Sequence, residues 1–193
     1  NGLKMMLAGE TLYGATITDL YERIVGNRLH TATTQGTVTQ RDMLSDYVEA
    51  IVADVQLARP IHVAVDCGNG VGGVIASTLL KRLGCTVTEL FCDVDGHFPN
   101  HHPDPAEPHN LIDLQNTLRT SDAEIGLAFD GDADRLGVVT KDGQIIYPDR
   151  QMMLFAQDIL SRIPNATVIY DVKCSTHLPK YIAQYGGQSL MWK

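Results

Sequence analysis

The chain has 193 residues, with 15 Lys and Arg against 23 Asp and Glu and a formal net charge of −8. That length holds one large domain, or one domain with parts of its neighbours, and that charge argues against nucleic acid as the main partner, because such a partner demands a basic face. The four cysteines, Cys67, Cys85, Cys92 and Cys174, form no C-x-x-C pair, which favours free thiols over structural zinc; without a signal peptide or an apolar run long enough to span a bilayer, a cytoplasmic protein with no membrane partner is expected.

In chain order, Leu3–Leu7 reads as a short strand and residues 17–25 as a helix with Ile17, Leu20, Ile24 and Val25 on one face. Thr16 and Asp19 stand at capping-box spacing. The polar stretch 27–37 reads as a linker with a domain boundary near its end. Thr39 and Asp42 have cap spacing before a second helix, with an apolar stripe of Met43, Leu44, Tyr47, Val48, Ile51, Val52 and Val55.

Ile61–Val65 is a β-rich run, followed by a helix over about 72–83 and a strand over Thr86–Phe91. Residues 96–109 carry four prolines and predict irregular structure. Asn110 is placed to cap a helix running to about Leu118. Ile125–Phe129 reads as a buried strand, and Leu136–Thr140 with Ile145–Tyr147 as a hairpin around Asp142-Gly143. A helix over 149–163, a strand over 168–172 and a helix from about Ser175, with Pro179 tolerated in its first turn, complete the pattern. The Met152-Met153-Leu154-Phe155 run reads as helix core. Alternating strands and helices predict an α/β fold with a mixed sheet flanked by helices.

The most informative segment is Asp130-Gly-Asp-Ala-Asp-Arg135, directly after the apolar strand. Alternate residues of an extended loop can turn their side chains to one point. Three adjacent carboxylates repel unless a cation sits between them, and hard oxygen donors select magnesium, calcium or manganese. Asp130, Asp132 and Asp134 are therefore the expected metal ligands, against a solvated acidic turn as the plain alternative. An EF-hand fails on Arg135 at its sixth position and Lys141 at its twelfth. A haloacid-dehalogenase-type, Mg-dependent phosphatase would want Thr or Val where Asp134 stands. Arg135 suits either a phosphate contact or a salt bridge to one of the aspartates.

Two further patterns compete. Gly68-Asn-Gly-Val-Gly-Gly73 satisfies G-x-G-x-x-G between a strand and a helix, with Asp93 downstream, and offers a Rossmann-type dinucleotide-binding oxidoreductase as a rival. It equally fits a compact strand-to-helix turn. His97, His101, His102 and His109 crowd one loop, but their spacing matches no common zinc site, so a structural loop is expected. His177 reads as a surface residue at a helix start.

The acidic hexapeptide resembles the metal loop of the α-D-phosphohexomutases. An ordered set of segments extends the resemblance over nearly the whole chain, toward the bacterial phosphomannomutase/phosphoglucomutase group: Asn1-Gly-Leu-Lys4, Ala8-Gly-Glu10, Asp66-Cys-Gly-Asn-Gly70, Gly96 to Pro105, Tyr147-Pro-Asp-Arg150, Asp171-Val-Lys-Cys174 and Met191-Trp-Lys193. The resemblance implies a four-domain enzyme of carbohydrate metabolism. Residues 1–42 would be the tail of domain 1, 43–144 domain 2 with the metal loop, and 145–193 the start of domain 3. It implies Mg2+ on Asp130, Asp132, Asp134 and a phosphoserine oxygen, Arg135 and Lys4 as catalytic residues, and Lys173 as a substrate-binding residue. Glucose 1,6-bisphosphate would serve as activator and intermediate, and a phosphorylated hexose as substrate.

Asn1 in place of Met, and the apolar run Ser189 to Trp192 before Lys193, read as ends of a piece cut from a longer chain. The phosphoserine would precede Asn1, so the piece alone is expected to be inactive and to bind Mg2+ weakly. The whole protein is expected to be a monomer, and the piece to self-associate through Met191-Trp192.

Overall fold

The computed structural model describes residues 3–192; Asn1, Gly2 and Lys193, on which the resemblance partly draws, lie outside the described residues. The chain divides into two units, one running to Met43 and one from Leu44.

In the first unit, β1 (Met6–Leu7) pairs antiparallel with β2 (Glu10–Thr11). Ala8 (φ 51°) and Gly9 (φ 85°) are both left-handed, as a two-residue hairpin turn of the primed type requires. The expected strand over Leu3–Leu7 thus shrinks to two residues, and β2 has no counterpart in the sequence reading. Helix α1 spans Ala15–Val25. Its expected capping box does not form: the Thr16 hydroxyl donates to the Tyr13 carbonyl at 2.7 Å and accepts from the Tyr13 N–H at 3.0 Å, while Asp19 pairs with Arg23 at 2.8 Å. Gly14 stands at the N-cap with no side-chain bond.

The second unit opens with α2 (Leu44–Asp54), which starts beyond the expected Thr39–Asp42 cap and buries only Val48 among its residues. Strands β3 (His62–Asp66), β4 (Thr86–Leu90), β5 (Ile125–Phe129), β6 (Leu136–Thr140) and β7 (Ile145–Ile146) form one sheet in the order β4-β3-β5-β6-β7. β4 and β5 run parallel to β3, and β6 and β7 continue antiparallel, so the sheet is mixed, as expected. A 3-10 turn (Val71–Val74) and α3 (Ala76–Arg82) connect β3 to β4. A second 3-10 turn (Pro108–Leu111) and α4 (Ile112–Thr120) precede β5. Asn110 lies inside that turn and caps nothing; its side-chain amide donates to the Asp104 carbonyl at 2.9 Å.

Strand parity divides the core into two layers. Ala64, Ala128 and Val139 face one side and pack with Leu111, Leu114 and Leu118. Val63, Val65, Cys67, Leu127 and Phe129 face the other and pack with Ala76 and Leu80 of α3. Both faces being covered, β3 reads as a continuous apolar run rather than an alternating one. Helix α2 is tied to α3 by Arg82–Glu49 at 2.7 Å.

Helix α5 (Pro148–Arg162) begins with a proline at a position that needs no N–H donor. Strands β8 (Thr167–Asp171) and β9 (Gln188–Trp192) pair in parallel around α6 (His177–Gln184), with Pro179 in the first turn. Ala156 and Leu160 pack on Leu178 and Ile182, with Met152 and Met153 at the edge. Leu154 and Phe155, expected in the core, are exposed, because the helical period turns them to the opposite face.

Candidate metal centre

Strands β3 and β5 are parallel neighbours, so their carboxyl ends emerge side by side, the position at which open α/β sheets place ligands. The acidic loop leaves β5 there. It is a tight turn rather than the extended stretch expected. The Ala133 N–H donates to the Asp130 carbonyl at 3.0 Å, and Ala133 is left-handed at φ 60°. The turn still brings one carboxylate oxygen each from Asp130, Asp132 and Asp134 to within 4.8 Å of one another. Asp132 and Asp134 are exposed, whereas Asp130 is 2% exposed.

Arg135 closes the loop. Its main-chain N–H donates to Asp130 Oδ1 and its Nε–H to Oδ2, both at 2.9 Å, and its Nη1 donates to Asp104 Oδ1 at 3.0 Å. Burial pushes the Asp130 carboxyl up, but the Arg135 N–H and guanidinium outweigh it and hold the group below its ordinary range. Asp130 is therefore an anion at neutral pH. Of the two roles open for Arg135, the salt bridge is formed, and the side chain is still 56% exposed. Asp104 has no periodic relation to the acidic loop, being 31 residues away, and only the fold brings it there.

The loop rests on the turn after β3. Val71 N–H donates to the Gly131 carbonyl at 3.1 Å. A Cβ at Gly70 would lie 2.8 Å from that same oxygen, one at Gly68 2.9 Å from Pro103 Cβ, and one at Gly73 1.9 Å from the Cys92 carbonyl. The glycines of the G-x-G-x-x-G pattern are thus filled by protein, and the pattern is a packing device rather than a pyrophosphate cradle. Asn69, left-handed at φ 60°, donates to the Asp93 carbonyl at 2.8 Å and accepts from Asn100 at 2.7 Å.

The histidine loop is anchored the same way. His101 Nε2 lies 3.0 Å from Asp66 Oδ2, its ring meets Phe91 edge-on at 5.4 Å, and Gly68 N–H donates to Asp66 Oδ1 at 2.8 Å. Burial pushes the Asp66 carboxyl up, against the nearby His101 and the Gly68 donor. The three predicted metal ligands and Arg135 are thus brought together. Lys173 is paired with Asp171 at 2.6 Å, and Lys4 lies exposed in the first unit.

The acidic loop thus stands at the carboxyl end of the central strands of a three-layer α/β/α domain. The family model described as phosphoglucomutase/phosphomannomutase, alpha/beta/alpha domain II, matches residues 45–143, and the chain belongs to that family. It is similar to a phosphoglucomutase of Neisseria gonorrhoeae, 58% identical over all of this chain and 42% of that protein. It is 54% identical to a phosphomannomutase/phosphoglucomutase of Pseudomonas aeruginosa over all of this chain and 41% of that protein. A solved phosphoglucomutase/phosphomannomutase family protein from Burkholderia thailandensis matches with a TM-score of 0.93 and 57% identity, over 98% of this chain and 41% of that one. The chain therefore spans about two fifths of the length of the curated relatives it matches. Among the described residues no helix is long and apolar enough to cross a membrane.

Proposed function

We propose that this chain supplies the cation-binding loop of a phosphohexomutase, an intramolecular phosphotransferase that interconverts hexose 1-phosphate and hexose 6-phosphate. The observation that carries the reading is the meeting of the Asp130, Asp132 and Asp134 carboxylates within 4.8 Å at the end of β5. This donor set fits Mg2+: all three ligands are hard anionic oxygens, and each Asp130 oxygen keeps a lone pair beyond the one given to Arg135. When bound, Mg2+ neutralises charge on a transferring phosphoryl group.

The chain's own residues do the rest. Asp130, held ionised by Arg135, fixes the buried corner of the site, and Asp132 and Asp134 complete it from the solvent side. The Arg135 guanidinium, pinned by Asp130 and Asp104, turns its exposed side to an anionic substrate, and Lys4 and Lys173 add cationic contacts to phosphate. Lys173 must exchange Asp171 for that contact. In the whole protein a phosphoserine transfers its phosphoryl group to a free sugar hydroxyl, giving a 1,6-bisphosphate. The serine oxygen then takes back the other phosphoryl group. Glucose 1,6-bisphosphate serves as activator, the phosphorylated hexose is the substrate, and the protein acts as a cytoplasmic monomer without nucleic-acid or membrane partners.

The test is a coupled assay converting glucose 1-phosphate in the presence of Mg2+ and the bisphosphate activator. The longer protein is expected to turn over and the 193-residue chain alone to be silent. Absence of turnover by the longer protein on both glucose and mannose phosphates overturns the mutase reading; turnover by the short chain overturns the need for the rest. A fluorescence titration with NADH is expected to show no saturable binding.

A further inference from the structure

Two thiols outside the proposed chemistry meet where β3 and β4 end. Asp66 and Leu90 are register partners in the parallel pair, and Cys67 and Cys92 follow them. The main chains are fastened there by Cys67 N–H to the Leu90 carbonyl at 3.1 Å and Asn69 N–H to the Phe91 carbonyl at 2.8 Å. The two sulfurs lie 3.5 Å apart. Both cysteines are free; Cys67 is buried and Cys92 partly exposed. The pair brackets the turn whose Gly70 abuts Gly131 of the acidic loop.

We propose that Cys67 and Cys92 are an oxidation site at which hydrogen peroxide closes an intramolecular disulfide. Cys92, the less buried of the two residues, gives its proton to water and attacks one peroxide oxygen. The O–O bond breaks, and Cys92 sulfenic acid and hydroxide form. Cys67 then attacks Cys92 Sγ, the S–O bond breaks, and the departing hydroxide leaves as water with the Cys67 proton. Two thiols are oxidised and one peroxide is reduced to two waters.

The order of roles follows from the surroundings. Cys92 is the partly exposed thiol, whereas Cys67 is buried, and the contact with Cys92 together with burial pushes the Cys67 thiol up. The attacking thiolate is thus the accessible one and the resolving thiol the protected one. A disulfide of about 2.05 Å asks the sulfurs, now 3.5 Å apart, to close by about 1.5 Å.

The 193-residue chain, reduced and then treated with peroxide, is expected to lose two hydrogens in intact mass. After unfolding it should keep two of its four thiols open to alkylation and yield one peptide pair joining Cys67 to Cys92, all reversed by dithiothreitol. In Cys67→Ala the Cys92 sulfenic acid has no resolving partner and is trapped by dimedone. Four alkylatable thiols after treatment, oxygen gained on Cys92 while Cys67 stays a thiol, or bonds running through Cys85 or Cys174 would each overturn the assignment. The wild-type measurement decides even if the variant does not fold.

Discussion

A β-carbon at Gly70 would stand 2.8 Å from the carbonyl oxygen of Gly131, so the turn after β3 and the acidic loop after β5 touch through two residues that lack side chains. Gly70→Ala must push the loop away. We expect a loss of about 2 kcal/mol in urea unfolding, together with weaker Mg2+ binding by calorimetry. Gly72→Ala meets its nearest neighbour, Ala133 Cβ, at 3.2 Å and is expected to cost visibly less. Equal effects of the two substitutions would contradict the packing described.

Asp130 and Asp134 separate stability from ligation. The Asp130 carboxylate is buried and bonded twice to Arg135. Asp130→Asn weakens both bonds and removes the countercharge, for about 2 kcal/mol of stability as well as lost Mg2+ affinity. Asp134 is exposed, so Asp134→Asn should leave unfolding within about 0.5 kcal/mol of wild type while reducing Mg2+ affinity at least about tenfold, on the order of 1.4 kcal/mol. Calorimetric titration beside urea melts reads both. Unchanged affinity in Asp134→Asn would remove that residue from the ligand set.

Gly126 lies under Leu114 and Leu118, and an added Cβ would come within 2.9 Å of both side chains. Gly126→Ala therefore overpacks the layer, by about 1–3 kcal/mol. Leu118→Ala, at a fully buried position, opens a cavity costing about 2–5 kcal/mol. In the double variant the new methyl enters the space the leucine left. Its loss should be smaller than the sum of the single losses, by about 1 kcal/mol, and additive losses would refute the contact.

The exposed Arg59–Glu124 pair should contribute a share of the acid sensitivity. Arg59 Nη1 and Nη2 donate to the two Glu124 oxygens at 3.0 and 2.6 Å, and His62 N–H adds a third bond at 3.2 Å. The Arg59 bond, reinforced by His62, lowers the Glu124 carboxyl from 4.5 to about 2. A lowered acid pKa in the folded state means stability present above pH 4.5 and lost as pH falls toward 2. Arg59→Ala should flatten the fall in unfolding free energy across that window, as followed by urea melts at several pH values. A wild-type slope in the variant would exclude the pair as its source.

Much of the site was legible before the fold. The apolar run 125–129 followed by three alternating aspartates marks a strand end with an acidic loop whose carboxylates converge, and close carboxylates favour a counter-ion between them. The glycines of residues 68–73 were equally visible, but their purpose was not: a phosphate cradle and a backbone contact demand the same missing Cβ, and only the neighbour at each position distinguishes them. Cap spacing at Thr16, Thr39 and Asn110 misled for a related reason. A side-chain cap depends on the local backbone path, which at Thr16 bends the hydroxyl back onto Tyr13, and at Asn110 gives the amide to Asp104.

Local order was thus written in the chain itself. Periodicity of 2 and 3.6 set the strands and helices of the mixed sheet, and side-chain chemistry set the charge of the loop, since both act over a few residues. What crosses long stretches of chain waited for tertiary structure: Asp104 reaching Arg135, His101 reaching Asp66, Gly70 meeting Gly131 and the sulfur of Cys67 meeting that of Cys92. These contacts depend on which strands lie side by side, and strand order follows from burying both faces of the sheet at once, a property of the whole domain that no short window of sequence contains.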